Sequence, residues 1–369
     1  MNLTDVIRDC GEHDEFDAFT RYLRHKAWEE GKPLVGLFEL TPRCTLDCRM
    51  CYVHLEPGQM RRRELTTEEW ISIIDEACDA GMLYATLSGG ECTMYPGFRQ
   101  IYEHLQARGT LVTVFTNGTL LDAEMVSWLA ARKPKRVQLS VYGSSPEGYR
   151  AVTGHADAFY RVDRAIDLLQ KADIALDLAV TVSKQMLPDF EAILRYCESK
   201  GINHYNVSSS TFDAREETGR VSDDYATSLD EQIAVIKTQR RLRCVRNGMD
   251  ENEPPKPNPN PPVCPETGVV CLAGRGSFSV NWRGEMSPCN TLHNAGGEPL
   301  VDGFLPVWRE MNRRCVEYRN PPECVGCEYY PVCRFCPGGH YMRVGEGRVN
   351  PSVCVEAKRM VEEKIQILQ

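Results

Sequence analysis

The chain has 369 residues, of which 42% are hydrophobic and 26% charged. These values are typical of a globular protein of two or three domains and exclude a disordered or fibrous chain. The formal net charge is −9, and this excess of acidic residues argues against nucleic-acid binding. No apolar run is long enough to span a membrane, and the N-terminus lacks the apolar segment of an export signal. We therefore expect a cytoplasmic protein with neither a membrane nor a nucleic-acid partner.

Cysteine is the abnormal component of the sequence. There are 17 cysteines, and nine of them lie between Cys264 and Cys354. In a reducing compartment, dense cysteines indicate metal binding or catalysis more often than disulfides.

Short apolar segments of β type alternate with amphipathic helical segments up to about residue 208. The predicted strands cover 34–41, 83–88, 111–116, 136–141, 174–182 and 204–208, and the predicted helices cover 66–81, 97–108, 122–132, 159–171 and 188–200. This alternation predicts an α/β fold with a parallel sheet, either an open doubly wound sheet or a partial (β/α)6 barrel. Chemically distinctive residues just after strand ends favour the partial barrel, namely Cys44, Ser88 to Glu91, Asn117 and Ser140.

Composition divides the chain further. Residues 1–33 read as a helical N-terminal lead-in and 34–222 as the partial barrel. Residues 223–263 read as a helix, over 223–243, and a stiff linker with six prolines between Pro254 and Pro262. Residues 264–354 form a small cysteine-rich domain, and 355–369 a C-terminal helix.

The first cysteine motif is C-x3-C-x2-C, formed by Cys44, Cys48 and Cys51. Three thiolates can hold one soft metal centre but are one ligand short of a closed zinc site. A [4Fe–4S] cluster held by three thiolates keeps one iron open for a small molecule. Buried or zinc-binding cysteines are the alternative. With this spacing on a βα scaffold, the chain resembles the radical SAM superfamily, whose cofactors are a [4Fe–4S] cluster and S-adenosyl-L-methionine (SAM).

The resemblance also implies contacts to SAM. It places Met50 by the adenine and the turn Ser88-Gly89-Gly90-Glu91 by the methionine amino group. It places Asn117 along the cleft, Ser140 by the ribose and Arg150 on the carboxylate. Turn capping and a surface salt bridge are the alternatives for these last three residues. The family usually has proline after the turn. Cys92 stands there instead, as a candidate for a hydrogen-donating thiol or as a packed small residue.

The second cysteine pattern follows the proline-rich segment. It comprises Cys264, Cys271, Cys289, Cys324, Cys327, Cys333, Cys336 and Cys354, with Gly284-x4-Cys289 and C-x2-C-x5-C-x2-C from Cys324 to Cys336. Eight thiols suit two four-thiolate sites, but spacing alone cannot choose the pairing or separate iron–sulfur clusters from zinc. Cys10, Cys78, Cys197, Cys244 and Cys315 fit no pattern, and we expect them to be small buried apolar side chains.

This pattern resembles the SPASM domain, the auxiliary-cluster module of radical SAM enzymes. The resemblance implies that Cys264, Cys271, Cys289 and Cys336 hold auxiliary cluster I. It implies that Cys324, Cys327, Cys333 and Cys354 hold auxiliary cluster II. Three [4Fe–4S] clusters per chain are then expected.

Enzymes that combine these two modules mostly modify peptides or proteins. The resemblance implies a 5′-deoxyadenosyl radical that takes hydrogen from a residue of a ribosomally made peptide, with net oxidation such as cross-linking. A flavodoxin- or ferredoxin-type reductant would supply electrons, and leader capture would need a separate protein or another surface. Asn290 follows Cys289 where sulfatase maturases carry an aspartate base, and this disfavours formylglycine formation. A sulfatase maturase, a small-molecule dehydrogenase of the superfamily and a non-enzymatic iron–sulfur electron carrier remain as alternatives.

Overall fold

The computed structural model describes residues 15–202, 205–211, 215, 218, 221–248, 250, 264–292, 296–333, 336–338, 348–363 and 365. The strands are β1 (Val35–Glu39), β2 (Tyr84–Ser88), β3 (Leu111–Thr116), β4 (Arg136–Ser140), β5 (Leu176–Thr181), β6 (Tyr205–Ser208), β7 (Ser277–Val280) and β8 (Met286–Ser287). The helices are α1 (Glu15–Glu30), α2 (Thr67–Asp79), α3 (Phe98–Ala107), α4 (Ala123–Ala130), α5 (Pro146–Thr153), α6 (Ala158–Lys171), α7 (Phe190–Ser199), α8 (Leu229–Asn247), α9 (Pro299–Asp302), α10 (Phe304–Glu317) and α11 (Pro351–Glu362). Within these ranges, no helix combines the length and apolarity that crossing a membrane requires.

The first six strands form a parallel sheet in the order β6-β5-β4-β3-β2-β1. The chain adds each strand beside the previous one, with at least one helix between successive strands, as right-handed βα units do. The predicted partial (β/α)6 barrel is confirmed. Because all six strands are parallel, their carboxyl ends meet at one edge, where the polar residues noted in the sequence collect.

Side chains alternate strictly between the two faces of this sheet. One set is fully buried and belongs to the main apolar core with the surrounding helices, and it includes Phe38, Leu87, Val114, Leu139 and Val180. The alternate set lies on the inner face and includes the apolar side chains of Leu37, Phe115 and Ala179. We call its polar members the polar inner face: Glu39, which is buried, and Thr86, Ser88, Thr113, Arg136, Gln138, Ser140, Asp177, Thr181, Asn206 and Ser208, which are half-buried or exposed.

The cysteine-rich region continues the same sheet. Strand β7 pairs in parallel with β1, in a register that sets Val35 opposite Ser277, and β8 extends the edge antiparallel. The ring of Phe278 packs edge-on against Phe38, with ring centroids 5.9 Å apart. Helix α10 packs on Phe278 through the rings of Phe304 and Trp308. The two modules therefore share one sheet and one core.

The remaining predicted segments have mixed outcomes. The helix predicted at 223–243 is observed at Leu229–Asn247, where Ser228 and Glu231 form a capping box. The C-terminal helix begins at Pro351, so Cys354 lies in its first turn. The proline-rich segment lies outside the described residues, and the domain boundaries stay predictions.

Candidate iron–sulfur and SAM sites

The C-x3-C-x2-C motif occupies the loop that leaves β1 at the carboxyl edge of the sheet. The backbone N–H of Cys51 donates to the carbonyl of Cys48 at 3.0 Å, and the N–H of His54 donates to the Cys51 sulfur at 3.2 Å. The amide of Asn117 donates to the Cys44 sulfur at 3.3 Å. Burial raises the pKa of the Cys44 thiol to about 12. A thiolate at this position therefore needs a bound cation, as a metal cluster would provide.

The three thiols share an electrostatic environment. Burial raises the pKa of the Tyr142 phenol well above its usual value, and the charges of Cys48, Cys44 and Cys51 raise it further. The donor set is thus three soft sulfur ligands that all act on one buried tyrosine, and this set suits an iron–sulfur cluster with an open iron.

The glycine turn after β2 lies directly against this loop. Gly89 has φ +137°, and a Cβ there would overlap the carbonyl of Thr41. A Cβ on Gly90 would overlap the carbonyl of Arg43. The turn is also hydrogen-bonded to the loop, because Gly90 N–H donates to the Thr41 carbonyl at 2.7 Å. Both positions therefore require glycine, and the turn and the cysteine loop are held as one unit.

The carboxylate of Glu91 is fully buried and engaged within the protein. It accepts hydrogen bonds from Thr93 Oγ1 at 2.6 Å, from Thr116 Oγ1 at 2.8 Å and from Asn117 N–H at 2.8 Å. Burial raises the pKa of this carboxyl. The side chain thus fixes the end of β3 against the turn, and the backbone of the turn remains the candidate contact for the SAM amino group.

The other predicted SAM contacts lie on elements around the same edge. Asn117 is buried and bridges Cys44 and Thr45, while Ser140 ends β4 on the polar inner face. Met50 is buried in the main core. The α5 helix carries Arg150, whose side chain is exposed, and it anchors the cysteine loop because Arg49 N–H donates to the Val152 carbonyl at 3.0 Å. These roles toward SAM stay predictions.

Cys92 is placed differently from a cleft-side thiol. Its side chain is fully buried in the main core, and its sulfur donates to the carbonyl of Phe115 at 3.2 Å. Burial raises the pKa of this thiol well above its usual value. This position favours the packing role.

A partly buried polar network links the loop that leaves β1 to the C-terminal module. Arg215 forms two 2.9 Å hydrogen bonds to the Glu39 carboxylate, and its guanidinium lies over the Tyr52 ring, 5.3 Å from the centroid. Asn290 Nδ2 donates to the Tyr52 hydroxyl at 2.8 Å. Tyr52 directly follows Cys51, and Asn290 directly follows Cys289. The contact therefore joins the first cysteine motif to the auxiliary region, and sequence reasoning missed its members Glu39, Tyr52 and Arg215.

A cavity in the C-terminal module fits one of the two auxiliary sites. It has a volume of about 340 Å³, and its lining includes four thiols, those of Cys324, Cys327, Cys333 and Cys354. The rest of the lining includes Val349, Val353, Ala357, Tyr329 and Tyr330. Burial, followed by neighbouring thiolates, raises the pKa of Cys324 to about 12. Four thiols around one largely apolar cavity suit a fully ligated cluster.

A second group of thiols surrounds Cys271. Although the residue as a whole is exposed, neighbouring protein atoms partly desolvate its sulfur and raise the pKa of the Cys271 thiol, and the charges of Cys289 and Cys336 raise it further. The thiol of Cys264 interacts with the Tyr330 hydroxyl and with the charge of Cys327. Across the described part of the chain, no three His, Cys, Asp or Glu side chains are grouped to hold a single metal ion.

Comparison with known proteins decides the family. The sequence profile of the radical SAM superfamily matches residues 38–197. The chain is 33% identical over 338 residues to an Fe-coproporphyrin III synthase of Methanosarcina barkeri, covering 83% of each chain. The chain belongs to the radical SAM superfamily. It is also 28% identical to an AdoMet-dependent heme synthase of Methanosarcina barkeri, over 88% of this chain and 96% of that protein. It is 28% identical to the mycofactocin maturase MftC of Mycobacterium ulcerans, over 82% of each chain.

Solved structures show that this radical SAM enzyme has the fold of enzymes with a SPASM-type C-terminal module. Streptococcus suis SuiB bound to its precursor peptide SuiA superposes with a TM-score of 0.67 at 15% identity, over 93% of this chain and 82% of SuiB. The structure of anSMEcpe with bound AdoMet and the Cp18Cys peptide superposes with a TM-score of 0.65 at 18% identity, over 90% of this chain and 98% of that one.

Proposed function

We propose that this radical SAM enzyme oxidises a residue of a ribosomally made peptide. The substrate would lose one hydrogen atom to the 5′-deoxyadenosyl radical, and then one electron and one proton. The electron would pass to an auxiliary cluster, so the net change is a two-electron oxidation such as a thioether or carbon–carbon cross-link.

The cofactors define the rest of the proposal. A [4Fe–4S] cluster and SAM, when bound, supply a 5′-deoxyadenosyl radical that abstracts hydrogen. Cys44, Cys48 and Cys51 would hold the cluster, and the glycine turn and Ser140 would orient SAM. Two further [4Fe–4S] clusters would lie in the C-terminal module. The cavity lined by Cys324, Cys327, Cys333 and Cys354 supports one of them, and the interacting thiols of Cys271, Cys289 and Cys336 support the other.

The side chains of the polar inner face favour a peptide as the substrate. Its side chains are mainly hydroxyls and amides, which can donate to and accept from a peptide backbone. The charged members are already paired, Arg136 with Asp177 and Arg215 with Glu39. A substrate that carries several carboxylates would instead favour free guanidinium groups. Because the charged side chains of this face are already paired, the face supports a peptide over a substrate with several carboxylates.

A tetrapyrrole substrate is the second candidate. The observation that favours it is the match over most of the chain to an Fe-coproporphyrin III synthase and a heme synthase, at identities no lower than that to the peptide maturase MftC. Such an enzyme would use the same clusters and the same radical on a propionate-bearing ring.

The proposal also includes the setting and a redox partner. The cysteines in the described residues are free thiols, a state that the reducing cytoplasm maintains. A flavodoxin- or ferredoxin-type protein would supply the electron for SAM cleavage. A separate protein would capture the leader of the peptide.

One experiment separates the candidates. The anaerobically reconstituted enzyme, SAM and dithionite are incubated with a short peptide encoded beside the gene, with a sulfatase peptide or with Fe-coproporphyrin III. We expect the first peptide to raise 5′-deoxyadenosine formation and to lose two hydrogens by mass spectrometry. Stimulation and mass loss with the porphyrin alone would replace the proposal by the tetrapyrrole candidate. A variant with Cys44, Cys48 and Cys51 changed to Ala is the control for adventitious cleavage.

A further inference from the structure

The C-terminal module holds nine cysteines, whereas two four-thiolate sites need eight. We propose that Cys315, and not Cys264, is the fourth ligand of the first auxiliary site, together with Cys271, Cys289 and Cys336. This inference rests on the proposal that the module carries iron–sulfur clusters. Cys315 fits no sequence motif, so only its position in the fold points to this role.

Helix α10 holds Cys315 against the loop that carries Cys271. The carbonyl of Cys315 accepts from Val269 N–H at 2.9 Å, and Asn312 Nδ2 donates to the Gly274 carbonyl at 2.8 Å. The helix and the loop are thus fixed together on both sides of Cys271. Cys315 is only 2% exposed and belongs to a small cluster on which Cys289 also packs.

The loop opens a space for the Cys315 sulfur. Gly274 has φ +65°, and a Cβ at this position would overlap that sulfur atom. Glycine is therefore required by both the backbone conformation and the close approach. The charges of Cys271 and Cys289 act on the Cys315 thiol, so all three sulfurs lie in one region.

A cationic side chain faces the same region. The guanidinium of Arg275 lies 3.8 Å from the centroid of the Trp28 ring and interacts with the charge of Cys315. Its buried Nε has no hydrogen-bond partner among the described residues. An unsatisfied buried donor is costly unless an acceptor is supplied, and a sulfur atom of a thiolate-held cluster is one such acceptor. Trp28 itself donates to the Cys271 carbonyl at 3.1 Å.

Cys264 lies with the other auxiliary site. Its thiol contacts Tyr330, which lines the cavity of Cys324, Cys327, Cys333 and Cys354. Its charge acts on Cys324 as well. That cavity already has four thiols, so Cys264 would be a fifth cysteine that a four-iron cluster does not need.

The experiment compares single substitutions in a variant whose Cys44, Cys48 and Cys51 are Ala, so that only auxiliary iron is counted. Iron and sulfide content and the low-temperature EPR spectrum of the reduced protein are measured. We expect about eight irons in this background and a fall to about four in Cys315→Ala, because each cluster holds roughly four. Cys264→Ala should keep the parent iron content and spectrum. Cys197→Ala, which removes a buried core thiol, is the matched packing control.

Two further measurements keep the outcome interpretable. Cys315→Ser keeps the side-chain shape with a slightly smaller atom, and it should alter the EPR signal of one cluster if the sulfur is a ligand. Loss of a cluster in Cys264→Ala, or an unchanged signal in both Cys315 variants, would overturn the assignment. Zinc in place of auxiliary iron in the parent protein would instead refute the proposed clusters themselves.

Discussion

The hydrogen bond from Asn290 to Tyr52 joins residues that adjoin a cysteine of each module. An aspartate at position 290 could accept a proton from a substrate, but an amide cannot do so at neutral pH. The hydroxyl of Tyr52 is no substitute base, because burial raises the pKa of this phenol above its usual value. Neither Asn290 nor Tyr52 can therefore act as the base that accepts a proton from a substrate at this place.

This chemistry predicts the response to a sulfatase substrate. The wild-type enzyme should not convert a Cys- or Ser-type sulfatase peptide to formylglycine after anaerobic incubation with SAM and dithionite. Mass spectrometry of the peptide is the measurement, and 5′-deoxyadenosine formation shows that the enzyme is active. The Asn290→Asp variant restores a carboxylate beside Tyr52 and is the matched comparison. Formylglycine in the wild-type reaction would contradict the prediction.

Glu91 supports a second prediction at the same scale. A glutamine at this position would keep the shape of the side chain. Its NH2 group would, however, face the Thr93, Thr116 and Asn117 donors that hydrogen-bond to the carboxylate in the wild type. We expect Glu91→Gln to lower the free energy of unfolding by about 1–3 kcal/mol, the usual cost of a buried unsatisfied group. Urea unfolding is the measurement, and the exposed Glu68→Gln is the control. Equal loss in both variants would show that the buried network is not the cause.

The capping box at the start of α2 leads to a pH dependence. Thr66 Oγ1 accepts from Glu69 N–H at 3.2 Å, and the Glu69 carboxylate accepts from Thr66 N–H at 2.8 Å. Hydrogen bonding to Arg63 is the largest cause that lowers the pKa of Glu69, from 4.5 to about 2. A carboxyl with a depressed pKa stabilises the folded state above its unfolded pKa, and this contribution is lost as pH falls.

The stabilisation that Glu69 contributes should therefore depend on pH. The difference in unfolding free energy between wild type and Glu69→Gln should be largest above pH 4.5 and should narrow as the pH falls from there toward about 2. Denaturation at several pH values measures it, with Glu68→Gln as control. A difference that grows toward low pH would contradict the assignment.

The predicted and the observed helices and strands agree in some places and differ in others, for physical reasons. The alternation of short apolar segments with amphipathic helical segments predicted β2 to β4 closely, because each of these strands is followed by a helix that packs on the sheet. The α5 helix was missed, although Ser145 followed by Pro146 is a helix-start signal. Strand β7 was missed because Ser277–Val280 lies beyond the proline-rich segment, where helical segments no longer alternate with apolar ones. The Arg215–Glu39 pair joins residues 176 positions apart, a separation that no motif covers.

The shared sheet has a consequence for the whole molecule. Removing residues 264–369 would expose the β1 edge and leave Phe38 without Phe278. We expect this truncated chain to aggregate or to unfold without a cooperative transition, because an open apolar edge pairs with other chains. Size-exclusion chromatography and thermal unfolding against the full chain test this. A monodisperse, cooperatively unfolding truncated protein would show that the modules fold independently.

The final prediction separates the roles of the three cluster sites in the intact protein. Changing Cys44, Cys48 and Cys51 together to Ala should abolish 5′-deoxyadenosine formation under dithionite, because SAM cleavage needs the open iron that only a three-thiolate site provides. The substitutions lie in a loop at the carboxyl edge of the sheet, whereas the cavity lined by Cys324, Cys327, Cys333 and Cys354 lies in the other module.

Reconstituted wild type should hold about twelve irons and the variant about eight, at roughly four per cluster. Cys78→Ala with Cys197→Ala is a control that removes unpatterned thiols and should keep both cleavage and iron. Retained cleavage in the triple variant would refute the assignment of the first motif, and loss of all iron would show that the auxiliary sites depend on the first site.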